Sequence, residues 1–205
     1  MHSEQRRLPE NSALRLSISD FIRTADTCDS SREKHQNRVT DLCCAIGENI
    51  GLDKEDMTGL RVSSLLHDLG LMYVPEEVLG KPSALTDEES ALIKEHPQTA
   101  YQFISHVDFP WPVPTIVLQH HEHFDGSGYP NGLAGDQIRI EAKIICVADT
   151  IESITSKRPH RPAATLTKAV TELGEKSGSF YDPDVVNAFQ ELVLDGGLLV
   201  KGWVE

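Results

Sequence analysis

The stretch Leu118-Gln119-His120-His121-Glu122-His123-Phe124-Asp125-Gly126-Ser127-Gly128-Tyr129-Pro130 carries three imidazoles, two carboxylates and a glycine-punctuated turn within thirteen residues. No other segment is so dense in chemistry. Adjacent histidines on a helix project about 100° apart. His120 and His121 can therefore serve one ion only if the helix ends there, although both can face one broad site. The residues after them read as a helix stop, because Gly126 and Gly128 supply permissive backbone and Tyr129-Pro130 a rigid extended bend.

To either side of this stretch, apolar residues recur at helical spacing. Val39, Leu42, Cys43, Ile46 and Ile50 form one stripe, with His35 near its start and Gly51 as its stop. A second helix runs from Asp53 past Leu60 to His67-Asp68 and closes at Gly70. Thr86-Asp87-Glu88-Glu89 is a capping-box pattern. It opens a helix carrying Leu92, Ile93, His96, Ala100 and Phe103, in which His96-Pro97 predicts a kink. Pro110, Pro112 and Pro114 lead into a helix from Thr115 to His121. Further helices are expected over 138–156, 165–176 and 183–194, the last with Asp182 as cap and Pro183 in its first turn. Ser12 to Thr24 fits a short amphipathic helix, and Gly196 to Glu205 an extended tail. No alternating-strand series appears, so the fold expected is all-α, a bundle of about seven helices with a metal site in its core.

Composition narrows the function. With 205 residues the chain makes one domain, read as an N-terminal extension or short helix over 1–30 and a folded unit over 31–205. A net charge of -13 argues against DNA, RNA or an anionic membrane as partner. If the substrate is an anion, the attraction must be local, and bound cations are its obvious source. Cys28, Cys43, Cys44 and Cys146 lack CxxC spacing and read as reduced residues. Neither a signal peptide nor a membrane-span-length apolar run is present, so the location expected is cytoplasmic.

Seven acids and imidazoles fall on or beside apolar helical faces: His35, His67, Asp68, His96, His120, His121 and Asp149. Neutral imidazole and carboxylate suit iron, manganese, zinc and related divalent ions. Two adjacent ions would use all seven ligands; one zinc would use three or four. Taken singly, each has a plainer reading. A lone buried histidine is more often a hydrogen-bonded core residue, Asp149 can pair with Arg38 or Arg61, and His67-Asp68 can end a helix.

His67-Asp68-Leu69-Gly70 forms an HD dyad, and His120-His121-Glu122 with Asp125-Gly126-Ser127-Gly128-Tyr129-Pro130 resembles the signature of HD-GYP phosphodiesterases. The likeness extends across about residues 35 to 190, through His35-Gln36-Asn37-Arg38, Lys81-Pro82, Glu95-His96-Pro97, Val147-Ala148-Asp149 and Arg158-Pro159-His160-Arg161-Pro162. It implies a helical HD domain that binds metal ions, most often iron or manganese, and hydrolyses cyclic di-GMP to pGpG, GMP or both. By the same resemblance His35, His67, Asp68 and Asp149 would hold one ion and His96, His120 and His121 the second, with Asp68 bridging. Catalytic roles would fall to Asp68, Glu122 and Asp125, the latter two orienting neighbouring ligands. Tyr129, Glu152, Arg158 and Arg161 would contact substrate.

Four departures bear on this expectation. Three-metal members carry Glu where Ser31 stands, so two divalent ions are expected. Leu71 takes the place of a lysine that would contact substrate phosphate, a loss worth ~1.5–3 kcal/mol. His160 stands for the usual Tyr, and Glu152 for the usual Asp. The other readings left open are a domain that binds cyclic di-GMP or a signalling partner, such as a diguanylate cyclase or regulator, without turnover, and an HD phosphohydrolase acting on another nucleotide such as (p)ppGpp.

Overall fold

The structure is a computed structural model that describes residues 30–157 and 162–196, with side chains from residue 34 onward. The segment Ser12 to Thr24, the tail after Gly196, Cys28, and Arg158, His160 and Arg161 lie outside the described residues. In chain order the helices are α1 (Ser30–Ile50), α2 (Lys54–Leu66), α3 (Glu76–Leu79), α4 (Asp87–Lys94), α5 (His96–Ile104), α6 (Val113–Gln119), α7 (Ile140–Thr155), α8 (Leu166–Glu175) and α9 (Pro183–Leu194). Single 3-10 turns span Leu69–Tyr73 and Gly135–Gln137. The described residues contain no strand, only two isolated bridges, so the all-α expectation holds.

Local chemistry sets the ends. The α1 stripe of Val39, Leu42, Cys43 and Ile46 is fully buried. Gly51, at φ 86, closes the helix while the amides of Gly51 and Leu52 both donate to the Gly47 carbonyl. A side chain at that φ would be strained, which is why glycine ends the helix. Asp53 caps α2 by accepting from the amides of Glu55 and Asp56. At α4 the Thr86 hydroxyl accepts from the Glu89 amide and the Glu89 carboxylate from the Thr86 amide, as the capping-box pattern requires. Asp182 caps α9, with Pro183 in its first turn.

Among the described residues, nine helices rather than about seven result from two differences. The stretch expected as one kinked helix from Thr86 to Phe103 is broken at Glu95, and Pro97 sits in the first turn of α5. There a missing amide costs nothing, whereas inside a helix it would leave a carbonyl without its partner. The other addition, α3, has no buried residue and hence no apolar stripe to read.

Helix α7 is the central element. Ten of its sixteen residues are buried, so it packs on nearly all sides. It gathers the larger core with Leu42 and Ile46 of α1, Leu60 of α2, Ile116 of α6, Leu173 of α8 and Phe189 of α9. Each fully buried isoleucine, such as Ile144 or Ile151, contributes about 1.5–3 kcal/mol. A smaller core joins Val62 and Leu66 of α2, Ala100 and Ile104 of α5, and Val113 and Val117 of α6. Helices α2 and α6 belong to both cores, and their C-terminal ends deliver His67 and His120. Cys43, Cys44 and Cys146 are free thiols, as expected. No helix among the described residues is long and apolar enough to cross a membrane.

Candidate metal centre

Every ligand expected from the sequence reaches one site, and each arrives from an element end or a buried face. His67 and His120 follow directly on the last residues of α2 and α6, and His96 opens α5. In all three, Nδ1 lies against the carbonyl three residues back: Ser64 at 2.6 Å, Ile93 at 2.8 Å and Val117 at 2.6 Å, respectively. A carbonyl only accepts, so each Nδ1 carries the proton and each Nε2 is left as a bare lone pair. His35 is oriented by another route, its Nδ1 donating to the Glu152 carboxylate at 2.5 Å.

The Nε2 atoms converge. His35 Nε2 lies 3.4 Å from Asp68 Oδ2 and 3.4 Å from Asp149 Oδ1. His67 Nε2 is 3.4 Å from Asp68 Oδ2, and His96 Nε2 is 3.5 Å from Asp68 Oδ1. The ligand atoms form two groups, His35–His67–Asp68 and His96–His120–His121, each within 4.8 Å. Because α6 ends at Gln119, His120 and His121 escape the helical divergence and join one group.

The donor set fits bound cations. His67 Nε2 is buried and makes no hydrogen bond. The His96 and His120 Nε2 atoms face each other at 3.2 Å, both without a proton once Nδ1 holds it. Two opposed lone pairs in a dry site repel, and a shared cation turns that repulsion into ligation. Protonation states agree. Burial, helped by neighbouring imidazoles, holds His120 well below its ordinary value and brings His121 down to about 3; burial also lowers His96. All three are neutral near pH 7, the form that binds metal. Burial on its own raises Asp68, but His67, His35 and His96 more than offset it and hold the carboxyl well below the usual range. His35 is also opposed by burial, yet Asp68, Glu152 and Asp149 bring it up to about 10. This acid-rich half of the site is short of positive charge.

Three expected roles change. Glu152, placed against substrate by the sequence reading, is 3% exposed and stands behind His35. It takes the Nδ1 proton on Oε2, accepts from Ser156 on Oε1, and has Arg38 at 3.8 Å. Glu122, expected to orient neighbouring ligands, is 2% exposed and instead accepts from the amides of Asn131 at 2.7 Å and Leu133 at 3.0 Å. Asp125 is exposed and accepts from the Ser127 amide, and the Ser127 hydroxyl, followed by that amide, lowers its pKa. Both acids therefore fold the loop rather than touch a ligand. Tyr129 stacks on His121 with centroids 4.9 Å apart at 24°, and Lys94 Nζ lies 5.7 Å from the centre of its ring. Burial raises its phenol, which stays neutral.

The part played by Glu152 was missed, although the spacing held a clue: three residues after Asp149, it shares the face of α7 that bears that ligand. A carboxylate behind a ligand histidine fixes its tautomer and raises its basicity. Glu152→Gln is expected to weaken metal binding roughly 10–100-fold while leaving the helical circular-dichroism signal intact. Metal titration by calorimetry measures this, and an unchanged affinity would remove Glu152 from the site.

Fold and site together define a helical bundle whose buried and half-buried histidines and half-buried aspartates are arranged to hold divalent cations. The family model described as HD domain matches residues 22–185, and the chain belongs to that family. It is 34% identical over 176 residues to the cyclic di-GMP phosphodiesterase response regulator RpfG of Xanthomonas campestris pv. campestris, covering 85% of this chain and 47% of that protein. It is 36% identical over 166 residues to a cyclic di-GMP phosphodiesterase of Thermotoga maritima, covering 80% of this chain and 45% of the relative. The chain thus spans about half the length of these curated relatives. Among solved structures, Bd1817, a HDG"Y"P protein from Bdellovibrio bacteriovorus, superposes with a TM-score of 0.67 at 19% identity, over 85% of this chain and 57% of that one. That likeness concerns the fold.

Proposed function

We propose that this domain hydrolyses the phosphodiester bonds of cyclic di-GMP to pGpG, GMP or both, with two divalent ions bound. The observation that carries the reading is the division of Asp68, whose Oδ2 faces His35 and His67 while Oδ1 faces His96. A carboxylate split between two ligand groups suits a pair of ions better than one. His35, His67, Asp68 and Asp149 would hold the first ion, and His96, His120, His121 and Asp68 the second. Mixed imidazole and carboxylate donors suit iron or manganese. Bound ions supply Lewis acidity and activate water at neutral pH.

The chain's own residues aim the imidazoles, through the Ser64, Ile93 and Val117 carbonyls and the Glu152 carboxylate. Tyr129, on the outer side of His121, would border the substrate, and Arg158 and Arg161 would clamp its phosphates. The setting is the cytoplasm, and a signalling protein such as a diguanylate cyclase or regulator is a fitting partner. The test is release of pGpG or GMP by protein loaded anaerobically with iron or manganese, alongside elemental analysis. About two ions per chain and product formation are expected; metal-loaded protein that releases neither product would overturn the reading.

Binding without turnover is the second reading, and Leu71 favours it, for it places an apolar side chain three residues after Asp68 in the 3-10 turn. Leu71→Lys is expected to lower KM about tenfold or more, the equivalent of one charge-assisted contact at ~1.5–3 kcal/mol. If the unaltered protein binds cyclic di-GMP without hydrolysing it and the lysine variant turns over, the second reading is the correct one for the native chain.

A further inference from the structure

Among the described residues, three of the seven large apolar side chains left open to solvent, Tyr73, Leu92 and Phe103, gather on one cleft of about 360 Å³. The Tyr73 and Phe103 rings, 54% and 44% exposed, stack with centroids 4.7 Å apart at 11°. Glu95 at the α4–α5 junction and Thr99 and Gln102 of α5 also line the cleft. Their spacing of i, i+4 and i+7 places them in one row. No described residue hydrogen-bonds or ion-pairs with these three side chains. His96 forms a further part of the wall and is at the same time a member of the His96–His120–His121 group.

We infer that this cleft seats a guanine base of the substrate, an inference that rests on the proposed function and adds to it a base-selecting site. A flat aromatic wall stacks any nucleobase, and stacking alone does not discriminate. The carboxylate does. Guanine turns two donors, N1–H and the N2 amino group, along its Watson–Crick edge, and one carboxylate accepts both. Adenine presents the N1 lone pair at the same place, which a carboxylate repels. Thr99 and Gln102 offer further hydrogen bonds beside Glu95. With His96 shared, the phosphate lies over the cation-binding imidazoles while the base of the same nucleotide lies along α5, whose rise from His96 to Phe103 is about 10 Å.

The experiment compares cyclic di-GMP with cyclic di-AMP on manganese-loaded protein, reading kcat, KM and, by calorimetry, binding. Phe103→Ala and Tyr73→Ala are each expected to raise KM for cyclic di-GMP about tenfold, with kcat and metal content retained. Glu95→Gln is expected to reduce the preference for cyclic di-GMP over cyclic di-AMP at least tenfold, since a carboxamide both donates and accepts. An equal effect of Glu95→Gln on the two substrates, or no effect of the aromatic variants, would overturn the inference. If the protein binds cyclic di-GMP but does not cleave it, the proposed turnover fails while the cleft is still tested by the same variants through binding. Protein that neither binds nor cleaves it overturns both.

Discussion

Asp68→Asn is expected to reduce bound metal from about two ions per chain to one or fewer and to lower kcat/KM by on the order of 10³, equivalent to several kcal/mol of transition-state charge stabilisation. The side chain is isosteric, so the effect isolates the charge and the second oxygen. With the carboxylate in place, one oxygen lies 3.4 Å from both His35 and His67 and the other 3.5 Å from His96. An amide offers one acceptor oxygen and a donor nitrogen, and a donor turned toward either group opposes a cation there. The same change removes the largest attraction acting on His35, whose other acids are Glu152 and Asp149. Elemental analysis and steady-state kinetics on the two proteins decide the matter. Full metal content with full turnover in the variant would exclude Asp68 as the bridge.

What the sequence made legible was chemistry carried by local pattern. The Gly51 stop, the Thr86–Glu89 box and the Asp182–Pro183 start each depend on residues within a few positions, and each stands in the structure. The seven candidate ligands could be singled out because polar groups on apolar helical faces are anomalous wherever they occur, and the structure brings them together. Longer-range pairings were not. His35 and Glu152 are 117 residues apart, and nothing local says which carboxylate will stand behind which imidazole. Glu122 reads as an acid beside two histidines, yet its oxygens are taken by amides nine and eleven residues on, a consequence of how the glycine-rich loop doubles back. The break at Glu95 was hidden by a proline that serves equally as a kink or as a first-turn residue.

Gly70→Ala is expected to destabilise the protein by ~3 kcal/mol or more, at the upper end of overpacking costs. The reason is contact rather than backbone conformation, since Gly70 has no positive φ. A methyl group there would meet the His96 carbonyl oxygen at 2.1 Å, its carbon at 2.8 Å and the His96 Cα at 2.9 Å. A crowded side chain rotates away; a backbone at the start of a helix cannot. Gly51 supplies the contrast, since a methyl group added there would have nothing within 4 Å and only the φ of 86° stands against a side chain, a cost of about 1–2 kcal/mol. Relief at Gly70 requires the 3-10 turn after Asp68 to separate from α5. That movement pulls Asp68 away from His96, the contact that joins the two ligand groups. Stability and metal binding should therefore fall together: the melting temperature by roughly 6–12 °C, at about 2–4 °C per kcal/mol for a chain of this size, and the metal-induced rise in melting temperature along with it. Gly51→Ala should lose stability alone. A Gly70→Ala protein that melts within about 2 °C of the parent and gains as much from metal would show that the turn and α5 are not held at this distance by their contact.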